Sequence, residues 1–358
     1  MLAEGTLGDF PTPVWSATDL QTVRGALWIK NDGASHPLYG GNKVRKLGPI
    51  LDDAVACGAR RIVTMGGAGS HHVLATTVFA ARRSLPTLAV LGPQPWSAHA
   101  ERTLRCGLAW GLEAIAAESM ARIPVVTGRA WRRGDYVIPV GAWGRRGTEG
   151  YVQAGEELAE QVRAGLLPEP DWIVVALGSG GTAAGLLTGV LRAGLRSRIL
   201  AVSVAVRSQV AARSLVLPLA WAAARSLGSF ISWRELSQRL VVTSAYLGST
   251  YGAATPEGVR ATHRAREVGL ELDPTYTAKA FAAALDLIET RPSANRPTIS
   301  AGEIPRGKSP DQGLLQVVYW HTLSTVSLDV LSEAAGDEPR LPDHLRTLLR
   351  GGERPRIV

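Results

Sequence analysis

A chain of 358 residues with 46% hydrophobic content is long enough for two domains around sizeable cores. No apolar run approaches the roughly 20 residues that span a bilayer, and the first residues lack the basic stretch and apolar core of a secretory signal, so a cytoplasmic protein without a membrane partner is expected. The formal charge of +8 comes from scattered arginines, with no basic run interleaved with aromatics, which argues against a nucleic-acid partner and leaves the excess as solvated surface.

Cys57 and Cys106 show no paired spacing, so neither a disulfide nor a metal site is expected. Among 39 basic residues only Lys30, Lys43, Lys46, Lys279 and Lys308 are lysines, which limits the candidates for amine chemistry to five.

The first distinctive segment is Tyr39-Gly40-Gly41-Asn42-Lys43-Val44-Arg45-Lys46-Leu47. It sets a lysine behind two flexible residues and ahead of a helical stretch. Neighbouring cations at Arg45 and Lys46 are expected to depress the Lys43 pKa and free its amine as a nucleophile; the plainer reading is an exposed lysine at a helix start. Lys30, Lys46 and Lys308 read as surface residues.

Further along, residues 51–58 read as helix, 61–65 as strand, 72–83 as helix and 86–91 as a fully apolar strand. Between them Met65-Gly66-Gly67-Ala68-Gly69-Ser70-His71-His72 ends a strand and opens a helix. Ser70 there can cap the helix or help local amides hold a substrate carboxylate. His71 and His72 point in different directions on a helix, which disfavours a shared metal and leaves one of them to face a pocket.

A second series follows residue 150: a helix over 151–164, a buried strand over 172–177, a small-residue helix from 183 to about 193 and a strand over 199–204. Strands alternating with helices predict an α/β fold with parallel sheets. The turn Leu177-Gly178-Ser179-Gly180-Gly181-Thr182 follows an apolar strand and opens a helix, so its amides, the helix start and two hydroxyls suit an anion. It has neither the Gly-Lys-Ser/Thr ending of a nucleotide loop nor the dinucleotide glycine spacing. Tyr246-Leu-Gly-Ser-Thr-Tyr251-Gly252 and Leu272-Asp273-Pro274-Thr275-Tyr276-Thr277-Ala278-Lys279 add tyrosines beside turn formers, able either to cover a core edge or to move protons. Residues 288–311 read as a surface insertion, with a strand resuming over 314–319.

Taken in this order, the segments resemble the D-cysteine desulfhydrase and 1-aminocyclopropane-1-carboxylate deaminase family of pyridoxal-phosphate enzymes, which has the tryptophan-synthase-β fold (fold type II). The resemblance implies two doubly wound α/β domains with the cofactor between them: residues 1–48 plus 151–358 forming a large cofactor-binding domain and 49–150 a small one. It implies pyridoxal 5'-phosphate as a Schiff base on Lys43, with Asn42, His71, Gly178, Ser179, Gly180, Gly181, Thr182 and Thr277 around it. It also implies Ser70, His71, His72 and Trp143 against the substrate, Ser70, Tyr251 and Tyr276 as catalytic partners of Lys43, no metal, and a homodimer.

The implied reaction is α,β-elimination and deamination of a small amino acid to a 2-oxo acid and ammonia. Thr277 stands where the cyclopropane deaminase branch has Glu, and a hydroxyl there disfavours ring opening relative to elimination. Three departures bear on the substrate. Gly69-Ser70-His71-His72 replaces Gln-Ser-Asn-His, Gly141-Ala142-Trp143-Gly144-Arg145 replaces Gly-Gly-Ser-Asn-Pro, and His321-Thr322-Leu323-Ser324 replaces His-Thr-Gly-Gly. They keep open β-replacement or racemisation in a biosynthetic pathway, and a cofactor-binding protein that has lost turnover.

Overall fold

The computed structural model of the chain describes residues 7–249, 251–289, 313–336 and 339–350. The expected insertion, from residue 290 on, and Lys308 lie outside the described residues.

In chain order the N-terminal part holds β1 (Val14–Ser16), β2 (Gly25–Asn31), α1 (Asn42–Ala56), β3 (Arg61–Gly67), α2 (His71–Ala81), β4 (Thr87–Gly92), β5 (Gln94–Pro95), α3 (Ala98–Ala109), β6 (Leu112–Ala116), α4 (Ile123–Ala130) and β7 (Asp135–Ile138). Then come α5 (Arg145–Arg163), β8 (Trp172–Leu177), α6 (Gly181–Arg192), β9 (Arg198–Ser203), α7 (Gln209–Ser226), α8 (Trp233–Arg239) and β10 (Leu240–Thr243). The last elements are α9 (Pro256–Glu267), α10 (Thr277–Glu289), β11 (Leu315–His321), α11 (Leu328–Ala335), α12 (Asp343–Arg346) and β12 (Leu349–Arg350).

A six-stranded sheet has the order β1-β2-β11-β8-β9-β10, parallel throughout except for the β1–β2 edge pair. Its central strands read as continuous apolar runs because both faces are covered. Ile173, Val175 and Leu177 of β8 pack with Tyr151, Leu158, Leu186 and Val190 of α5 and α6, whereas Trp172 and Val174 face Ala283, Leu287 and Phe281 of α10. Each such aliphatic side chain contributes about 1.5–3 kcal/mol by leaving water. The sheet is therefore parallel, as the alternating pattern predicts, and doubly wound, as the family resemblance implies.

The second sheet, β6-β4-β3-β7, is wholly parallel. Leu47 and Leu51 of α1, Leu74 and Val78 of α2 and Cys106 of α3 close over Ile62 and Ile138. The terminal segment returns to this unit: β12 pairs with β5, and Leu341, Leu345 and Leu348 pack with Ala89, Leu91 and Leu104. The sequence division assigned everything after 151 to the large domain; residues 341–350 pack with strands of the second sheet through that apolar cluster.

The segments of interest all leave the carboxyl ends of parallel strands or begin helices. Residues 68–72 follow β3, 178–182 follow β8, 322–324 follow β11, and α1 and α10 begin at Asn42 and Thr277. Open α/β sheets hold ligands at such ends, where helix N-termini offer unpaired amides and partial positive charge.

Candidate active site around Lys43

Lys43 is the second residue of α1, and the glycines before it seat the run against two other segments. The Gly41 amide donates to the Asp32 carbonyl at 2.7 Å, the Asn42 amide to the Thr322 carbonyl at 3.0 Å and the Gly40 amide to Ser324 Oγ at 3.0 Å. A Cβ on Gly40 would stand 1.9 Å from the Gly33 carbonyl oxygen, and one on Gly41, at φ +94°, 2.7 Å from that of Thr322. Only glycine allows this approach. The altered 321–324 segment is therefore a wall against which the lysine loop is built.

The Lys43 amine donates to Asn42 Oδ1 at 3.0 Å, and Asn42 Nδ2 reaches Thr182 Oγ1 at 3.4 Å, so one carboxamide links the lysine to the glycine turn. Burial lowers the Lys43 pKa to about 8, against a smaller upward pull from the Asp273 carboxylate. The cause differs from the one read in the sequence. Arg45 points away, with Nε on Asp32 Oδ1 at 2.9 Å and Nη1 and Nη2 on Glu157 at 2.9 Å, so its charge is spent there.

The expectation that Lys30 and Lys46 lie on the surface is also corrected. Lys30 is fully buried, donating to the Thr12 carbonyl at 2.6 Å and to Glu157. Lys46 is 1% exposed; its amine donates to the Gly141 carbonyl at 3.3 Å and lies 3.0 Å from where a Cβ on Gly181 would stand. Burial, then the charge of Lys43, holds its pKa well below the ordinary value.

The turn itself is a cradle. Gly180 takes φ +95° at the start of α6, and a Cβ there would lie 2.6 Å from the Leu215 carbonyl oxygen. Ser179 Oγ lies beside Gly141, and Thr182 is buried. A buried lysine amine with one long carbonyl contact, beside Gly181 at a helix start, is a donor set short of an anion. Lys43, Asn42, Lys46 and residues 178–182 accordingly fit a phosphate-bearing aldehyde.

Tyr276 covers Gly178, with its Cε1 3.3 Å from a Cβ built there, and shares a short hydrogen bond with the Tyr251 hydroxyl. Burial, then Tyr251, holds the Tyr276 phenol well above its ordinary pKa. Thr277 donates to Asp273 Oδ2 at 2.6 Å and accepts from the Asp273 amide at 2.7 Å. Asp273 also accepts from the amides of Thr275, Tyr276 and Thr277 at 2.9, 2.7 and 3.1 Å. Thr277 thus arrives with its proton already given to a buried carboxylate.

Ser70 caps α2, accepting from the Val73 amide at 3.4 Å. The two histidines do diverge. His71 bonds to Tyr39 and His99, while His72 lies 3% exposed with Nε2 on Thr64 Oγ1 at 3.0 Å. Thr64 gives its own proton to the Ile138 carbonyl, so His72 Nε2 carries the hydrogen; burial lowers the ring's pKa, against a smaller upward pull from the Pro139 backbone. Trp143 is half-exposed, 48%, on the turn whose Gly141 carbonyl receives Lys46. Among the described residues no group of His, Cys, Asp and Glu is placed to hold a metal ion, and no helix is long and apolar enough to cross a membrane.

Lys46, Asp273, Tyr39 and His99 are members of the site that sequence reasoning missed. Asp273, Tyr39 and Lys46 were visible within quoted motifs, Lys46 being read only as a neighbouring surface cation; His99 carried no local signal.

Comparison with known proteins agrees with this geometry. The family described as pyridoxal-phosphate dependent enzyme matches residues 5–298. D-cysteine desulfhydrase of Yersinia pestis (strain Pestoides F) is 31% identical over 291 residues, covering 78% of this chain and 86% of that protein. The D-cysteine desulfhydrase of Klebsiella pneumoniae (strain 342) is 32% identical over 293 residues, covering 77% and 85%. The crystal structure of an ACC deaminase homologue superposes with a TM-score of 0.70 at 27% identity, covering 96% of this chain and 95% of the other. An L-serine ammonia-lyase from Rhizomucor miehei, at 18% identity and TM-score 0.60 over 93% of this chain and 100% of its own, shares the fold.

Proposed function

The chain belongs to the family of pyridoxal-phosphate-dependent enzymes, and from that premise we propose that it is a lyase of the D-cysteine desulfhydrase type, removing the β-substituent and the amino group of a small amino acid to give a 2-oxo acid and ammonia. The carrying observation is the bridge Lys43–Asn42–Thr182, which ties a depressed-pKa amine to an anion cradle. Thr277, rather than a carboxylate residue, stands at the start of α10.

In this reading Asn42, Lys46 and residues 178–182 hold the phosphate end, and Thr277, backed by Asp273, and His71 line the ring. When bound, the cofactor withdraws electrons from the substrate Cα and acidifies its hydrogen. Lys43, with an amine that is substantially neutral near pH 8, accepts that hydrogen. Ser70 and the amides opening α2 hold the substrate carboxylate. Tyr276, kept protonated by burial and paired with Tyr251, donates a proton to the departing β-group. Trp143 and His72 are assigned to substrate selection, and a cytoplasmic homodimer belongs to the same reading.

The test is direct. Purified holoenzyme is incubated with D- and L-cysteine, D- and L-serine and 3-chloroalanine, and 2-oxo acid and ammonia are measured. Equimolar release from at least one of them is expected. A protein that shows the lysine-linked cofactor absorbance yet releases neither product from any of them would refute the proposal.

A further inference from the structure

The residue that departs most from the family pattern, His71, is not an isolated substitution. Its Nδ1 lies 2.5 Å from the Tyr39 hydroxyl and its Nε2 lies 2.8 Å from Nε2 of His99. The ring pairs are close, with centroids 6.4 Å apart and 15° between planes for Tyr39 and His71, and 4.9 Å and 40° for His71 and His99. The three groups step outward. Tyr39 is 3% exposed and lies four residues before Lys43; His71 is half-buried at the start of α2; His99 is exposed in the first turn of α3.

We infer that Tyr39, His71 and His99 form a proton relay connecting the pocket at Lys43 with solvent. The inference rests on the proposed elimination, in which Lys43 takes the Cα proton and Tyr276 gives one to the β-group. The proton held on Lys43 then has to leave, and Tyr276 has to be reprotonated from solvent, before the next turnover. Hydrogen-bond valence fixes the direction. Burial keeps the Tyr39 phenol protonated, so its O–H donates to His71 Nδ1. Burial first, then His99 and Lys43, lowers His71 to about 4, and burial lowers His99 as well, so both rings are neutral. His71 must then carry its hydrogen on Nε2 and donate it to His99 Nε2, which leaves the His99 hydrogen on Nδ1. All three donors point the same way.

The transfer balances. One proton arrives at the Tyr39 oxygen, the Tyr39 hydrogen passes to His71 Nδ1, the His71 Nε2 hydrogen passes to His99 Nε2, and the His99 Nδ1 hydrogen leaves to water. No net charge stays on the relay, and each imidazole has exchanged one tautomer for the other. Tyr39 and His99 act through His71 and are positioning residues for it rather than catalytic groups.

Two measurements on the holoenzyme test this. Long-range ¹H–¹⁵N spectra of the seven histidines, assigned with His71→Gln and His99→Ala, should show His71 protonated at Nε2 and His99 at Nδ1. Exchange of the Cα hydrogen of glycine and D-alanine with solvent deuterium reports proton traffic without a β-leaving group. In His99→Ala it should fall about tenfold or more while the cofactor absorbance is unchanged, and added imidazole should restore it; Tyr39→Phe should slow exchange without responding to imidazole.

His71 protonated at Nδ1 overturns the relay whatever the turnover, as does wild-type exchange in His99→Ala. Wild-type exchange that is lost in His99→Ala and rescued by imidazole, without 2-oxo acid release from any amino acid, sustains the relay and sinks the elimination. Normal product release together with normal exchange in His99→Ala does the reverse.

Discussion

The proposed chemistry depends on Lys43 being neutral more often than a lysine in water, and that can be measured directly. With a pKa of about 8 instead of 10.5, about a quarter of Lys43 amines are neutral at pH 7.5, against about one in a thousand for an ordinary lysine. The rate at which apoprotein takes up pyridoxal phosphate, followed by stopped-flow absorbance between pH 7 and 10.5, should therefore level off above an inflection near 8. Asp273 pulls the Lys43 pKa upward, so Asp273→Asn should move the inflection to lower pH, while Lys43→Ala should give no lysine-linked band. The sign of the stability effect is also fixed. A buried ammonium with a depressed pKa destabilises the folded apoprotein below pH 8 by its full penalty, and the penalty is relieved as pH rises from 8 to 10.5. The urea midpoint of wild type should therefore rise relative to Lys43→Met across that window. An inflection near 10.5, unmoved by Asp273→Asn, would refute the account of burial as the activating force.

Three further substitutions separate the parts of the site. Arg45→Met strands Asp32 and Glu157 in the interior beside Lys30, and should cost about 3–5 kcal/mol by urea denaturation; a cost near zero would mean the cluster is not held by charge. Lys46→Met keeps the bulk and removes the ammonium facing the glycine cradle. It should weaken pyridoxal phosphate binding roughly ten- to hundredfold by absorbance titration and leave binding of unphosphorylated pyridoxal unchanged; equal loss for both ligands would remove Lys46 from the phosphate. Gly41→Ala combines a positive φ with a Cβ 2.7 Å from the Thr322 carbonyl. About 1–3 kcal/mol of lost stability is expected, with a disturbed cofactor spectrum, and an unchanged spectrum would show that the 321–324 wall does not set the lysine.

What was legible in the sequence follows from local physics. The run over 172–177 reads as a strand because side chains on both faces are buried, which erases the polar alternation of an exposed sheet. The glycine turn at 178–182 is legible because a strand end, a run of glycines and a helix start are consecutive. What was not legible depends on partners distant in the chain. Lys30 and Lys46 look like surface residues until Glu157 and Gly141 close around them, and Arg45 looks like a neighbour of Lys43 until Asp32 and Glu157 claim it. The return of residues 341–350 to the second sheet is a packing event with no periodic signal of its own. The cause assigned to the depressed lysine failed for the same reason. Sequence proximity put Arg45 next to Lys43, but a helix turns successive side chains about 100° apart, so the residue two positions on points to another face. What lowers Lys43 is burial in the folded chain, not a neighbouring charge. Tyr39, His71 and His99 show the same rule from the other side, since 28 residues separate the two histidines and the docking of α3 against α2 alone makes them neighbours. The altered residue at 71 gains its meaning from a partner the motif does not contain.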